Sequence, residues 1–421
     1  RKSASVVWRD LGSSGKTDLP RHPAMQITSK TLLDRLDSLT AGQDVERWIV
    51  AYSGGIDSTV LLHALANSDS RIPVIAVYVD HGLDPESGRW GEHCAAFART
   101  LGVEFKAMTV SVDDYPGSGP EAAARQARYT ALISIVRTDD CLLSGHHEND
   151  QAETLLLNLM RGSGPAGLAG IGAAQAFGRG RLLRPMLGVP GDSIADYAAR
   201  NQLSWLDDPT NVDSRFDRNF LRNDIIPVLT SRWPAVSNRL RRSAELVGEA
   251  SELLDQLADI DLADCGPTEA LSIPAISALP LARQRNLLRR VARRNGLPPP
   301  PSTRLHQIVH ELIPARADGQ PLVRWTGAEV RRYRDRLYFM AHGATLPDSP
   351  LAKLTLSEGP VDLGPGLGAI ELVKSSSGID PSIATEGLDI CFRHGGEEVR
   401  IRDGGSTRKL KKLMQEAGVL P

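Results

Sequence analysis

Cysteine is scarce and scattered in this sequence. Its four cysteines, Cys94, Cys141, Cys265 and Cys391, form no CxxC pair, which argues against a zinc ribbon, a cysteine-ligated iron–sulfur cluster or a disulfide framework. Reduced thiols in a cytoplasmic protein are the simplest expectation. No apolar run reaches the roughly 18–20 residues that a membrane helix needs, so no membrane partner is expected. The first 25 residues have no apolar core of the signal-peptide kind; rich in Arg, Ser, Gly and Pro and starting at Arg1 rather than Met, they read as a flexible leader. Net charge is lacking too: 49 Lys and Arg against 51 Asp and Glu leave a formal −2, so bulk charge does not announce a nucleic-acid binder.

What is present is ordinary in bulk and informative in detail. Hydrophobic content of 41% and charged content of 24% suit a globular protein, and 421 residues exceed one ordinary domain. From Arg47 to about Leu229, short β-branched runs alternate with helical stretches. Strand candidates are Trp48–Tyr52, Pro73–Val79, Val103–Val110 and Cys141–Ser144; Thr59–Leu65 and Arg89–Leu101 read as helices between them. This alternation predicts an α/β fold, a Rossmann-like parallel sheet with helices on both faces. Arg241–Asp264 is amphipathic and helical, and Leu281–Met340 carries thirteen arginines against four acids. Val323–Met340 reads as a hairpin turning at Thr326-Gly327. We therefore expect a leader (1–25), an ATP-binding catalytic domain (26–230), a basic, mainly helical domain (231–345), a linker (346–366) and a small α+β C-terminal domain (367–421). Pro421 falls before any closing element, so a longer native chain is expected.

The chemistry begins where the first strand stops. Ser53-Gly54-Gly55-Ile56-Asp57-Ser58 is a turn whose glycines let backbone approach phosphate oxygens, and the following helix aims its N–H groups there. Asp57 and Ser58 supply oxygens suited to a magnesium ion and a phosphate. Read alone, the same residues make a strand-to-helix turn with an N-cap. Gly12-Ser13-Ser14-Gly15-Lys16-Thr17 imitates a Walker A loop, but that pattern needs glycine where Asp10 stands. Asp80-His81-Gly82-Leu83 ends the second strand, which places His81 on the same rim as Ser53. Glu121, Arg125 and Arg128 share one helix face, as either a phosphate-binding pair of cations or a solvated salt-bridged surface. Asp150 and Glu153 project together at the start of another helix, where they can hold magnesium or an amine, or simply complement the helix dipole. His146 and His147 lack an evident third ligand, so dedicated zinc binding is not expected. Arg161-Gly162-Ser163-Gly164 is a cationic loop. Arg218-Asn219-Phe220-Leu221-Arg222 offers a basic cluster with an aromatic suited to stacking, although alone Phe220 fits a buried helix position better.

Together these motifs resemble the tRNA(Ile)-lysidine synthetases of the PP-loop ATP pyrophosphatase superfamily. The pieces are SGGIDS (53–58), DHGL (80–83), EAAARQARY (121–129), HHENDQAET (146–154), RGSGPAGL (161–168), RP (184–185), DPTNVDSRFDRNFLR (208–222) and the tail GGSTRKLKK (404–412). The first marks only the superfamily; the second through fifth pieces and the basic tail are much more specific, and the resemblance covers nearly the whole chain after residue 25. Asp80 and Asn149 depart slightly from the commonest pattern. The resemblance implies adenylation of C2 of the wobble cytidine in a CAU-anticodon tRNA(Ile) by ATP with Mg2+, then attack by L-lysine to give lysidine. It implies catalytic roles for Asp57, Asp150, Glu153, Arg125, Arg128 and His81, with Asp57 also the metal ligand. It implies ATP contacts from Ser53, Gly54, Gly55, Ile56, Asp57 and Ser58. Substrate contacts are implied for Glu121, Arg161, Arg218, Asn219, Arg222, Lys409, Lys411 and Lys412. Alternatives are another PP-loop tRNA-modifying enzyme or an inactive RNA-binding relative. Against a thiolase stands the lack of paired cysteines, and against amide transfer the lack of an amidotransferase signal. Oligomeric state is left open, a homodimer included.

Overall fold

The computed structural model describes residues 26–82, 87–111, 120–207, 209–316 and 321–342, and farther on 352–354, 359–363, 369–373, 375, 387–391, 396–400 and 405–417. The Gly12–Thr17 stretch and the rest of the expected leader lie outside them. The chain divides at Ser251 and Glu252 into two compact units. No helix among the described residues is long and apolar enough to cross a membrane.

The first unit begins α1 (Ser29–Thr40), β1 (Arg47–Ala51), α2 (Ile56–Ala66), β2 (Val74–Asp80), α3 (Ser87–Thr100), β3 (Glu104–Thr109), α4 (Pro120–Ile135), β4 (Asp140–Leu143) and α5 (Glu148–Met160). It continues through a single turn α6 (Pro165–Leu168), β5 (Ala174–Phe177), β6 (Gly180–Leu183) and α7 (Gly191–Arg200). One sheet forms in the order β3-β2-β1-β4-β6-β5. The pairings from β3 to β6 are parallel, as expected. The edge strand β5 runs antiparallel to β6, because only Gly178 and Arg179 separate them and so tight a turn must reverse direction.

Alternation along β1 explains why the sheet is covered on both sides. Trp48, Val50 and Tyr52 pack with Leu36, Leu61 and Ile194 on one face. Ile49 joins Val77, Leu142 and Leu182 against Leu132 of α4 and Val136 just beyond it on the other. Strands buried on both faces must be apolar throughout, which is what the sequence pattern showed. At the N-terminal ends of β1 and β4, Arg47 Nε donates to the buried carboxylate of Asp140 (2.8 Å). Despite burial, that hydrogen bond and one from the Arg137 N–H hold Asp140 below the usual carboxylate range. The pair thus ties the strands at the end opposite their functional rim. On that rim the strand order reverses between β1 and β4, which opens a crevice there.

Beyond α7 the chain forms a 3-10 turn (Pro209–Val212), then α8 (Asp217–Phe220), a π turn (Leu221–Ile225), α9 (Ile226–Arg232) and α10 (Val236–Cys265). The second unit holds β7 (Leu271–Ser272), α11 (Ile273–Ala278), α12 (Leu281–Arg294), α13 (Ser302–Gln307), β8 (Leu322–Trp325), β9 (Ala328–Tyr333) and β10 (Arg336–Ala341). The expected hairpin turns at Thr326-Gly327, Trp325 facing Ala328, and β10 extends it to an antiparallel sheet β7-β10-β9-β8. Leu287, Leu288, Val291 and Ala292 of α12 are buried in its core. The arginines of α12 meet acids of α10: Arg290 donates to Asp259 (2.9 and 2.7 Å) and Asp255 (3.1 Å), and Arg294 to Asp259 (3.2 Å). Arg293 pairs with Asp255 and Arg283 with Asp261. Much of the basic excess is therefore balanced within the unit.

Two glycines with positive φ separate backbone strain from crowding. At Gly42 (φ +77°) an added Cβ meets nothing within 4 Å, whereas at Gly54 (φ +84°) it would lie 2.9 Å from Cys94 Sγ and 3.0 Å from Leu206 Cδ1. Gly42→Ala should cost only the left-handed conformation, about 1–2 kcal/mol. Gly54→Ala should add roughly 1–3 kcal/mol of overpacking in urea unfolding. Equal losses would contradict this packing account.

Candidate nucleotide-binding and transfer site

The loop after β1 is held by its own side chains. Ser58 Oγ accepts from the Ser53 N–H (3.2 Å) and donates to Gly55 O (3.0 Å), so it shapes the turn rather than facing outward. Leu206 N–H donates to Gly54 O (2.9 Å), closing the loop from behind. Gly55 caps α2 without any side-chain hydrogen bond. The first-turn N–H groups of α2 therefore remain open to an anion.

Gly145 makes the neighbouring strand end possible. A Cβ there would lie 3.1 Å from Asp57 C and Ser58 N, so β4 reaches the loop only because no side chain intervenes. The next residues cap α5. His147 N–H donates to Asp150 Oδ2 (2.8 Å), while His147 Nδ1 accepts from the Asn149 N–H (3.4 Å). With Nδ1 an acceptor, the neutral ring carries its proton on Nε2. That atom lies 3.6 Å from Asp57 Oδ1 and 3.7 Å from Asp150 Oδ2. Asp57 is raised above the usual carboxylate range by burial and by Asp150 and Glu153, with His147 and Arg222 opposing.

Glu153 is fully buried. Arg218 Nε donates to its Oε2 (2.6 Å), and Arg222 Nε to its Oε1 (2.6 Å). Arg218 Nη2 also donates to Asp150 Oδ1 (2.7 Å). Burial would raise Asp150, but His147, Arg218 and His146 outweigh it and lower its pKa. The π turn places Arg222 beside Arg218 on this carboxylate pair, a local widening of the kind often found at functional sites. Glu148 is tied separately, accepting from Asn238 Nδ2 (3.0 Å) and Arg241 Nε (3.3 Å).

These parts border one cleft of about 450 Å³, lined by Ser53, Gly55, Ile56, Asp57, Ser58, His81, Arg128, His146, Asp150 and Arg222. Val77, Val79, Leu132 and Leu142 give it an apolar wall, with Trp90 and Tyr129 at hand. Asp80 is used in the turn, accepting from the Gly82 N–H (2.8 Å), and Nδ1 of His81 is buried without a partner among the described residues. Arg128 has no carboxylate partner among the described residues, and burial and Arg125 lower its pKa. Arg125 stacks on Tyr129, 4.9 Å from the ring centroid. Glu121 belongs to α4, but its side chain lies outside the described residues. Asn219 Nδ2 donates to Asp213 O (3.1 Å), and Arg161 meets Asp217 (3.8 Å) on the surface. Lys409, Lys411 and Lys412 belong to the second unit, exposed on a strand (Arg408–Lys409) and helix (Leu410–Glu416). Gly145 was not singled out from sequence as a site residue, and His147 was weighed only as a metal ligand, not as the contact between Asp57 and Asp150. Their signal was the start of a helix directly after an apolar strand.

An uncapped helix behind a Gly-Gly turn, at the switch point of a mostly parallel sheet, defines a PP-loop nucleotide-binding unit. Residues 28–229 match the PP-loop domain model. Residues 271–338 match the TilS substrate binding domain and 388–421 the TilS substrate C-terminal domain. The tRNA(Ile)-lysidine synthase of Alkalilimnicola ehrlichii is 43% identical over 95% of this chain and 89% of its own length. Those of Coxiella burnetii (37%, covering 93% and 87%) and Methylococcus capsulatus (40%, covering 92% and 89%) are similar over comparable spans. The chain belongs to the tRNA(Ile)-lysidine synthase family.

His146 carries a pH signature. Burial, helped by Arg184, Arg218 and Arg125 and opposed by Asp150, pushes it from the ordinary 6.5 down to about 4. Above pH 6.5 the ring is neutral whether folded or not and contributes nothing. As pH falls from about 6.5 to 4, the unfolded chain takes up the proton first, so stability drops by a few kcal/mol at most. Urea unfolding at pH 7 and pH 5 should show a smaller pH-dependent loss for His146→Gln than for the wild type. An unchanged slope would show that His146 does not titrate this way.

Proposed function

We propose that this chain activates C2 of the wobble cytidine of CAU-anticodon tRNA(Ile) with ATP and ligates L-lysine to it. The observation that carries the reading is the meeting, in one cleft, of an open phosphate loop with Asp150 and Arg222, the carboxylate held from behind by Arg218. In the first step the cytidine O2 attacks the α-phosphorus, and the bond to pyrophosphate breaks. The loop N–H groups and Arg128 stabilise the departing charge. Asp57 is the carboxylate free to hold Mg2+ there: it accepts no hydrogen bond among the described residues and faces the loop. Bound with ATP, the ion neutralises phosphate charge.

In the second step the neutral lysine ε-nitrogen bonds to C2, the C2–O bond breaks with AMP leaving on that oxygen, and the nitrogen passes its extra proton to water in the cleft. Asp150 borders the cleft and is assigned to the amine. Glu153, covered by two arginines, is assigned to holding Arg218 and Arg222 in place. Within this reading, residues 26–230 carry the chemistry, while 231–345 and 367–421, joined by 346–366, contact the body of the tRNA. Arg285 and Arg289, one turn apart on α12 and without a carboxylate partner among the described residues, suit its backbone better than the paired Arg290.

Two measurements test this. Purified protein with magnesium, ATP, labelled lysine and CAU-anticodon tRNA(Ile) should attach lysine to the tRNA, and Asp57→Ala should abolish pyrophosphate release while tRNA binding persists. No lysine attachment by the wild type would remove the proposal. Separately, Arg285→Ala/Arg289→Ala should weaken tRNA binding and reduce the slope of log affinity against log salt by about 2. Arg290→Ala should instead lower the unfolding midpoint; the reverse pattern would reassign the RNA-facing arginines.

A further inference from the structure

An exposed apolar surface lies beside the cleft and is not used by the steps above. Phe216 caps α8 and Phe220 ends it, with the Phe220 N–H donating to Phe216 O (2.9 Å). Their side chains stand at the surface, 41% and 45% exposed. Val212 (78%) precedes them, and Met160 (74%) lies at the end of α5, which the Arg161–Asp217 contact (3.8 Å) brings alongside. Single exposed apolar residues need no explanation, but a cluster with two aromatics does.

Helical geometry gives this segment two faces. At 100° per residue, position 218 lies about 200° from position 216. Arg218 and Arg222 thus turn inward to Glu153, while Phe216 and Phe220 turn outward. Arg161 and Arg215 lie beside them but are paired with Asp217 (3.8 Å) and Asp213 (2.6 Å), so what this surface offers is chiefly its rings. Exposed flat aromatic faces suit a single-stranded nucleic acid, whose unpaired bases can stack on them. Continuity with the cleft identifies the segment: Asn211, one residue before Val212, and Arg222 both line it.

We propose that Phe216 and Phe220 form a stacking platform for the anticodon nucleotides flanking the wobble cytidine. Drawing that cytidine out of the anticodon stack costs unstacking energy. New stacking of its neighbours on the two rings offsets the cost and fixes the distance from loop to cleft. The inference rests on the lysidine reading, and its test separates the two.

A tRNA(Ile) carrying 2-aminopurine for the adenine of its CAU anticodon reports stacking by fluorescence quenching. Wild-type protein should quench it. Phe216→Ala/Phe220→Ala should lose the quenching and raise KM for tRNA about tenfold or more, with KM for ATP and lysine within about twofold. Phe216→Tyr/Phe220→Tyr should restore both readouts. Retained quenching with unchanged tRNA KM in the alanine variant overturns the platform. So does a parallel rise in the ATP and lysine KM values, or failure of tyrosine to rescue. If wild type quenches but attaches no lysine to unlabelled tRNA, the functional reading fails instead, whatever the variants do.

Discussion

The cleft depends on one buried carboxylate. Glu153 has no access to water, and a bare charge there would cost several kcal/mol; Arg218 and Arg222 remove that cost by donating to both of its oxygens. Those arginines lie 65 and 69 residues farther along the chain. Satisfying Glu153 therefore draws α8 and its π turn over α5. Asp150 is oriented as a consequence, since Arg218 holds one of its oxygens and the His147 N–H the other. His147 in turn faces Asp57, which links the amine end of the cleft to the phosphate end.

Backbone proximity sets the second constraint. The phosphate loop and the start of α5 come from strands that are neighbours in space but far apart in sequence, β1 and β4. They meet because Gly145 carries no side chain to push Asp57 and Ser58 away, and because Gly54 accepts a left-handed turn beside Cys94. At the opposite ends of the same strands, Arg47 and Asp140 fix the pairing. Register at one end is thereby transmitted to the other through two short, rigid strands.

In the second unit, electrostatics divides residues of one type between two tasks. Arg283, Arg290, Arg293 and Arg294 clamp α12 to α10 through Asp255, Asp259 and Asp261. Arg324 and Arg331 share the buried Glu329 of β9. A count of arginines thus overstates the charge offered to an RNA. The cations without acid partners among the described residues, Arg285 and Arg289 included, are those with field to spare.

The parallel sheet, its covering helices and the phosphate loop were legible in the sequence, because strand burial on both faces writes itself as unbroken apolar runs and the Gly-Gly turn stands between such a run and an apolar helix. The antiparallel β5 edge was not, since AQAF and GRLL are too short to declare a period. Candidate residues such as Asp57, His81, Arg128, Asp150, Glu153, Arg218 and Arg222 could be named from their motifs together with the family resemblance those motifs carry. Their partnerships could not. That Glu153 is sealed by two arginines while Asp150 borders the cleft, that Ser58 turns inward, and that Phe220 faces water rather than the core all arise from contacts between distant segments. Sequence by itself determined which chemical groups were present and on which elements. Tertiary structure decided which charges were neutralised and which stayed open, because desolvation and pairing depend on neighbours that the chain order does not reveal.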